Sequence, residues 1–547
     1  MADSEVLNYF KNKKLLFTHW NCEDKQDYSF QNWYYPFKRF FGEIITFSPK
    51  KNYFNFGKEE MNQKFLELVE KEKPDYIFFL LIYDEFDPLI FLEIKKISPK
   101  TKLMVFLSDD SWRYEDFGRY YSLFMDYILT AYHKSVSWHK KDGAENVWFS
   151  IGVNTENFKP LNLEKKYDVV FIGGAGQERA EYMRFLVQQG IKVDIFGHGW
   201  EKYPEFKDFY HFPLSSEEWV KVVNQSKINL SFSMGGSNKL QLKGRPFEVS
   251  ACKSFILVGY NEDYRDFFSK NELVMFKDKK DLLEKIKYYL KNEKEREKIA
   301  DSAYKKITKK FSLMQELSII LKEIMNYEKA GKRKELPSLS KRIIYLSKND
   351  LNLTKEKLAG KIKKFSFICF NTGCKIHPLR NLIQAHSLEK SKKEISCCDY
   401  YVNSKNLGNY LLFKANFAFN NLPKKEFDRL LDASQIMATK NFFIKNLGKF
   451  KKFFKQQEFS LISNKNTAFI SIPLVEIKNL KSIDYKTMKT AFQFKFLDRL
   501  YSLRHQMKIF PYMINLLLLG LRKKFLLKAI KDSLLDRNSL AKFIKGF

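Results

Sequence analysis

The sequence KLQLKGRPFEVSACKSFILVGYNEDYRDFF, residues 239–268, places two cations and a carboxylate at the start of a predicted helix, followed by an apolar strand. Lys243 and Arg245 can neutralise a diphosphate beside helix amides that already favour anions. Glu248, one helical turn further on, can accept hydrogen bonds from ribose hydroxyls. The apolar strand over 254–260 follows at the short spacing that a doubly wound sheet requires. The stretch predicts a nucleotide-diphosphate site, with a solvated basic helix start as the alternative.

Apolar segments alternate with helical patterns on both sides of Pro160. The first series predicts strands over 15–18, 43–47, 76–82, 103–107, 127–131 and 147–151, and the second over 169–172, 192–196, 228–232, 255–258 and 273–276. Such a βαβ rhythm indicates parallel sheets. Helices over 280–291 and 293–309 close the second series, and a helix over 312–327 is expected to cross back onto the first. We therefore predict an α/β protein with two Rossmann-like domains that face a cleft.

Four segments together resemble the CgeB-like, spore-protein-type branch of the GT-B glycosyltransferases, which is related to the family 4 transferases. They are RPFE at 245–248, DYIFF at 75–79, VFLSDDSW at 105–112 and IGVNTENFKP at 151–160. The resemblance covers about residues 12–325. It implies a GT-B fold and metal-independent transfer of a sugar from a nucleotide-sugar donor to a glycan, lipid-linked or protein acceptor, as in surface polysaccharide or glycoconjugate synthesis.

One position departs from the family 4 pattern. Those enzymes carry a second Glu eight positions before the Glu of the RPFE segment, and this chain has Leu240 there. Retention or inversion of the sugar configuration is therefore left open by the sequence.

Charge divides the chain unevenly. Residues 331–547 hold 44 Lys and Arg against 15 Asp and Glu, whereas the first 330 residues hold 52 against 49. A strongly basic unit following a nearly neutral one indicates a partner with an anionic surface, such as lipid, nucleic acid or acidic glycan. We predict an acceptor-side Rossmann-like domain over 1–158, a nucleotide-sugar-binding one over 159–327, a linker over 328–340 and a basic accessory domain over 341–547.

The accessory domain has a predicted strand at 365–370, a helix at 377–388 and a strand at 395–402, an order that resembles the later half of a GT-A transferase. Asn-Thr-Gly at 371–373 stands where such a transferase has its metal-binding Asp-x-Asp, and it cannot supply two carboxylates to a hard cation. The domain is either a degenerate, non-catalytic GT-A remnant or an unrelated basic accessory domain.

The last 37 residues, 511–547, place Leu and Ile at helical spacing among Lys and Arg. A basic amphipathic helix of this kind is expected either to lie on an anionic membrane or to pack on its own domain. The longest apolar run, 510–521, is too short to cross a bilayer, which needs ~20 residues. The first residues do not resemble a secretory signal, and the six cysteines lack zinc-site spacing. We expect a cytoplasmic protein, which is peripheral at the inner face of the cell membrane if the basic helix lies on lipid.

Glycine-rich turns follow two strands of the second series. The turn GGAG at 173–176 opens a helix and can bring backbone amides to a phosphate, or it is simply a tight turn. Its spacing is not that of a dinucleotide site, so NAD is not expected. In FGHGW at 196–200, His198 or Trp200 is predicted to contact the base, and the Gly-rich loop over 233–238 to close over the diphosphate. The predicted substrate-binding residues are Gly173, Gly174, Gly176, His198, Lys243, Arg245, Glu248 and Tyr260.

Two acidic residues follow a predicted strand of the first series. Asp109 and Asp110 lie at the carboxyl edge where open α/β sheets bind ligands, so one carboxylate can deprotonate or orient an acceptor hydroxyl. The alternative for Asp109 is a helix N-cap. His19 competes as the base because a neutral imidazole can accept a proton near pH 7. The predicted catalytic set is Asp109, Asp110, His19 and Arg245, with no metal and no cofactor beyond the nucleotide-sugar.

Two other classes of function remain as alternatives. A non-catalytic protein of the same fold that binds glycans or nucleotide-sugars is favoured by Leu240. Nucleic-acid binding by the basic domain is not expected, since its aromatic residues at 442–454 lie among lysines without a recognised motif.

Overall fold

The computed structural model describes most of the chain, namely residues 4–81, 85–234, 240–331, 343–370, 372, 374–404, 408–413, 431–456, 461–463, 465–477 and 492–494. Residues 235–239, which include most of the predicted Gly-rich loop, lie outside these ranges, as do most of the predicted linker (332–340) and the basic tail (511–547). The chain divides into two compact units. The first holds both predicted Rossmann-like domains, and the second holds the C-terminal region together with residues 54–57 and 115–123.

The strands are β1 Lys14–His19, β2 Glu43–Phe47, β3 Tyr76–Leu80, β4 Lys102–Leu107, β5 Tyr127–Thr130, β6 Val147–Phe149, β7 Tyr167–Ile172, β8 Val193–Phe196, β9 Tyr210–His211, β10 Ser226–Ser231, β11 Ile256–Gly259, β12 Val274–Phe276, β13 Ile343–Leu346, β14 Phe367–Phe370, β15 Lys375–Ile376, β16 Ile395–Ser404, β17 Gly408–Phe413, β18 Ile436–Thr439, β19 Thr467–Ile477 and β20 Phe492–Phe494.

The α-helices are α1 Ser4–Lys11, α2 Tyr28–Phe40, α3 Pro49–Glu72, α4 Leu89–Ile97, α5 Asp110–Arg113, α6 Arg119–Tyr121, α7 Ser135–Lys141, α8 Gln177–Gln188, α9 Ser216–Asn224, α10 Arg245–Ala251, α11 Lys279–Lys291, α12 Glu293–Lys310, α13 Leu313–Lys329, α14 Lys355–Ile362, α15 Arg380–Ser391, α16 Lys440–Lys445 and α17 Leu447–Gln456. Within the described ranges, no helix combines the length and the apolar character needed to cross a bilayer.

The first sheet contains six parallel strands in the order β2-β1-β3-β4-β5-β6. Every residue of β3 and β5 is buried. Parallel strands covered by helices on both faces read as continuous apolar runs, which is why the sequence indicated them clearly. All six predicted strands of the first series are present.

The second sheet also contains six parallel strands, in the order β12-β11-β10-β7-β8-β9. Five of them match the second predicted series. The sixth, β9, has only two residues and was not predicted, because so short a segment shows no periodicity. The order of strands changes direction at β7, where β10 and β8 lie on opposite sides of it, as in doubly wound folds.

Helix α13 returns from the second domain to the first. Its apolar residues Leu317, Leu321 and Ile324 lie in the same core cluster as Phe17 and Phe78 of the first sheet. Two parallel Rossmann-like domains and a last helix that crosses back are the GT-B architecture, so the expected fold class is confirmed for the first unit.

The end of α13 is held by one carboxylate. Glu328 accepts hydrogen bonds from the hydroxyls of Tyr9, Tyr76 and Tyr127 at 2.8, 2.8 and 2.7 Å. Helix α13 includes Glu328 and Lys329, which the sequence analysis assigned to the linker. The helix therefore extends two residues further than predicted.

The second compact unit contains an eight-stranded mixed sheet. Its main path is β13-β14-β18-β16-β17-β20, and β19 pairs with β15 and β16. The predicted strand, helix and strand correspond to β14, α15 and β16. Thr372, the described residue of the Asn-Thr-Gly segment, donates a hydrogen bond to Asp432 Oδ1 at 3.0 Å.

Candidate functional site

The carboxyl ends of β4 and β7 meet at the cleft between the two Rossmann-like domains. Asp109, which follows β4, accepts a hydrogen bond at 2.7 Å from Gln241, which precedes α10 of the second domain. The turn at 173–176 follows β7 directly. The structure therefore brings Asp109 of the first domain and the glycine turn of the second to the edge where open α/β sheets bind ligands.

The two glycine turns of the second domain support each other. Gly173 N–H donates to the carbonyl of Phe196 at 2.7 Å, and Ala175 N–H donates to that of His198 at 2.8 Å. A Cβ on Gly197, whose φ is +134°, would lie 2.3 Å from the carbonyl oxygen of Gly173. Glycine is therefore required at this close approach.

The side chains around these turns differ from one expectation. Trp200 is 1% exposed, and its indole N–H donates to the carbonyl of Gly173 at 2.8 Å. It holds the turn in place, so the prediction that it contacts the base is wrong. The side chain of His198 is exposed, and only its backbone carbonyl binds the neighbouring turn.

Helix α8 begins in open space. Gly176 is its N-cap, without a side-chain capping bond, and a Cβ at this position or at Gly174 would have no close contact. Arg179, in the first turn of α8, donates to the carbonyl of Gly174 at 2.6 Å. A cation is unfavourable beside the positive end of a helix dipole, whereas an anion there is stabilised. This arrangement favours an anion at the start of α8.

Arg245 points from the start of α10 to the end of β7. Its Nη1 donates to the carbonyl of Ile172, and its Nε lies 3.4 Å from Glu248 Oε2. The guanidinium also lies 5.1 Å from the ring centre of Trp219, within cation–π range. Glu248 is 4% exposed, so water screens its attraction to Arg245 little. Its carboxylate is therefore well placed to orient this guanidinium.

Lys243 is held by neutral groups. Its Nζ donates to Gln241 Oε1 at 2.6 Å, and its backbone N–H donates to the hydroxyl of Tyr264 at 3.0 Å. Burial, with a contribution from nearby Arg179, lowers the pKa of Lys243 to about 8. Burial also lowers the pKa of Arg179, and Arg245 adds to this effect. The charges of Arg179 and Arg245 therefore act on Lys243, and that of Arg245 also acts on Arg179.

The two adjacent aspartates have different surroundings. Asp109 is the N-cap residue of α5, yet its side chain makes no capping bond and turns to Gln241 instead. Asp110 is 2% exposed, and its Oδ2 accepts hydrogen bonds from Thr130 and Ser135 at 2.9 and 3.1 Å. The same oxygen lies 2.7 Å from His139 Nε2. The structure thus places Asp109 at the cleft and Asp110 in the interior of the first domain.

His19 and Tyr260 lie at the carboxyl ends of two other strands, β1 and β11. His19 ends β1, and its buried Nε2 has no hydrogen-bond partner, with Asp27 Oδ1 3.6 Å away. Burial lowers the pKa of His19, although Asp27 opposes this change. Tyr260 follows β11, is 45% exposed and donates to Glu262 Oε2 at 2.5 Å.

Two cleft residues, Arg179 and Gln241, are absent from the predicted site. Arg179 had a signal in the sequence, because it follows a glycine turn within the first turn of a helix. Gln241 had none, because its contact with Asp109 depends on how the two domains meet. Within the described ranges, no group of three or more His, Cys, Asp or Glu side chains could hold a metal ion.

Residues 179–322, about a quarter of the chain, match the family model described as glycosyl transferase-like. No curated protein matches the sequence. Among solved structures, sucrose-phosphate synthase from Thermosynechococcus elongatus is 9% identical and covers 59% of this chain and 100% of its own, with a TM-score of 0.45. Anabaena HepE, in complex with UDP and glucose, is 9% identical over 58% of this chain and 100% of its own, with a TM-score of 0.42. A UDP-N-acetylglucosamine 2-epimerase is 12% identical over 60% of this chain and 99% of its own, with a TM-score of 0.39.

The matched segment runs from the first turn of α8 into α13 and includes Arg179, Lys243 and Arg245. The nucleotide-binding half predicted from the sequence is thus similar in sequence to a glycosyltransferase-like family.

Proposed function

We propose that this protein is a metal-independent glycosyltransferase that uses a nucleotide-sugar donor. The observation that carries the proposal is the convergence of Arg179, Lys243 and Arg245 at the carboxyl end of β7. Arg179 and Lys243 donate hydrogen bonds to uncharged oxygens, those of Gly174 and Gln241, so their positive charge is available to an anion. The match of residues 179–322 to a glycosyl transferase-like family supports the same conclusion.

In this proposal the cations act on the leaving group. Negative charge develops on the nucleoside diphosphate as the bond to the sugar breaks, and Lys243 and Arg245 stabilise it there. The open start of α8 adds backbone amides beside Gly174 and Gly176, while Gly173, whose N–H is bonded to Phe196, shapes the turn that presents them. Glu248 fixes the ribose and orients Arg245.

The acceptor is activated from the first domain. Asp109, at the cleft, orients or deprotonates the acceptor hydroxyl. His19 is the second candidate base, because burial keeps its imidazole neutral near pH 7 and its Nε2 has no hydrogen-bond partner. Asp110 acts indirectly by fixing the turn that carries Asp109. The exposed His198 and Tyr260 are proposed to contact the base.

The acceptor is proposed to be a glycan, a lipid-linked glycan or a protein in surface polysaccharide or glycoconjugate synthesis. The strongly basic residues 331–547 favour an anionic or membrane-bound one. We place the chain in the CgeB-like branch on the basis of the four segments that together resemble it. We propose that it is a cytoplasmic protein that associates peripherally with the membrane through 511–547. The C-terminal unit is proposed to be either a non-catalytic GT-A remnant or an unrelated accessory domain.

The proposal is tested by thermal shift with UDP, GDP, CMP and dTDP and their sugars. One nucleotide is expected to raise the melting temperature of the wild type and not that of Arg245→Ala. The matched control is Arg184→Ala on the same domain, which removes an exposed ion pair with Glu205 and should keep the full shift. A shift that persists in Arg245→Ala would refute the site.

A non-catalytic protein that binds nucleotide-sugars is the second candidate. It is favoured by Leu240, which is 49% exposed where family 4 transferases have Glu. The two are separated by incubating the protein with the nucleotide-sugar that binds and measuring release of the nucleoside diphosphate. Binding without release above the rate in buffer would establish the second candidate.

A further inference from the structure

One side chain joins the two domains across the cleft. Gln241 Nε2 donates to Asp109 Oδ1 at 2.7 Å, and its Oε1 accepts from Lys243 Nζ at 2.6 Å. Gln241 is 9% exposed, so water competes little for either bond. A carboxylate only accepts and an ammonium only donates, so the two contacts fix which way the amide points.

The segment that carries Gln241 is anchored in the second domain. The backbone N–H of Gln241 donates to the carbonyl of Ser233 at 2.8 Å, and that of Lys243 donates to the hydroxyl of Tyr264 at 3.0 Å. Tyr264 is completely buried. Because the segment is fixed on this side, a movement of Asp109 away from the second domain breaks the bond to Gln241.

We propose that Gln241 is a positioning residue that couples diphosphate binding at Lys243 to closure of the cleft onto Asp109, an inference that rests on the proposed function. When the first domain is closed, Asp109 holds the amide, and the amide oxygen holds the ammonium of Lys243 in place. Binding energies coupled in this way are reciprocal, so a contact that favours closure also favours the anion.

The proposal makes a prediction opposite in sign to that of simple electrostatics. Asp109 is negative, and its charge alone repels a diphosphate, so its removal should strengthen anion binding. If Asp109 acts through Gln241, removing its side chain should weaken anion binding, because the oriented amide loses its acceptor. Asp109→Asn separates the effects, since asparagine keeps an acceptor oxygen but loses the charge.

The experiment measures binding of inorganic pyrophosphate by titration calorimetry at one ionic strength and at about pH 6. This pH lies well below the pKa of Lys243, about 8, so the lysine stays charged when the Asp109 carboxylate, which raises that pKa, is removed. The variants are Asp109→Ala, Asp109→Asn, Gln241→Ala and the double alanine variant. Gln189→Ala and Asp208→Ala are the controls, because both residues are exposed on the second domain. Arg245→Ala is measured beside them as the test of the donor site itself. Melting temperatures without ligand verify that each variant is folded.

We expect Asp109→Ala and Gln241→Ala each to weaken binding about fivefold or more, the range of typical coupling energies. The double variant should be no weaker than the weaker single variant, and Asp109→Asn should bind at least as tightly as the wild type. Tighter or unchanged binding in Asp109→Ala, or additive losses in the double variant, would overturn the coupling.

An error in the proposed donor site would give a different set of binding results from an error in the coupling. If Arg245→Ala binds pyrophosphate as tightly as the wild type, the proposed diphosphate site is wrong, whatever the other variants do. If the wild type does not bind pyrophosphate, both the donor site and the coupling are overturned. Dependence on Arg245 together with tighter binding in Asp109→Ala would reject only the role of Gln241.

Discussion

Binding of a nucleoside diphosphate should depend on pH through Lys243. Burial first, and Arg179 second, lower the pKa of this lysine to about 8 from an ordinary value of 10.5. A lysine is charged below its pKa and neutral above it, so the site loses a cation as the pH rises through about 8. Asp109 acts in the opposite direction on the pKa, and Arg245 in the same direction as Arg179.

The size of the effect follows from the charged fraction of Lys243. With a pKa of about 8, roughly nine-tenths of the side chain is charged at about pH 7 and roughly one-tenth at about pH 9. A bound diphosphate restores the ordinary pKa by pairing with the ammonium. The dissociation constant should therefore rise about tenfold between about pH 7 and about pH 9. Near pH 8, binding should take up roughly half a proton.

Titration calorimetry measures both quantities. UDP, or whichever nucleotide binds, is titrated across the pH range in two buffers of different ionisation enthalpy. Lys243→Met should bind weakly and with a flat pH profile, whereas Lys227→Met, which removes an exposed pair with Asp168, should keep the wild-type slope. A slope that persists in Lys243→Met would show that another group titrates and would refute the reasoning.

Two further predictions concern stability. Glu328→Ala should lower the free energy of unfolding, measured by urea denaturation, by about 3 kcal/mol, because three tyrosine hydroxyls lose their acceptor. Glu328→Gln should lower it by less, since glutamine keeps an acceptor oxygen. Gly152→Ala should destabilise the protein by about 1 kcal/mol more than Gly190→Ala. The backbone φ is positive at both positions, but only a Cβ at Gly152 would meet a side chain, the Trp33 ring at 2.9 Å. Equal losses in the two glycine variants would contradict the second prediction.

Local patterns were sufficient to predict the two parallel sheets. Strands such as β3 and β4 are buried almost throughout, so each appears in the sequence as an uninterrupted apolar run. The crossing helix α13 was predictable from its helical period and its place at the end of the second series. The two-residue strand β9 was not, since its pairing with β8 is decided by the sheet and not by its own residues.

The candidate site could be predicted within one domain but not across two. Lys243 and Arg245 lie close together in the sequence and share one edge of the sheet, so spacing alone located them. The contact of Gln241 with Asp109 joins residues 132 positions apart. No local rule predicts it, because it depends on the way the second domain packs against the first. For the same reason the sequence did not distinguish Asp109, which lies at the cleft, from the buried Asp110.

The cleft combines several features that lower stability when no anion is bound. Arg179 opposes the dipole of α8, the ammonium of Lys243 is partly buried on a neutral amide, and Gly197 adopts a φ that other residues disfavour. Each departs from the local rules that the remainder of the two domains follows. A diphosphate offsets the first two directly, because it pairs with both cations and complements the helix dipole. These unfavourable features lie together at one edge of the sheet, and one class of ligand relieves two of them. Such a concentration is characteristic of a binding site, because residues selected for stability alone follow the local rules.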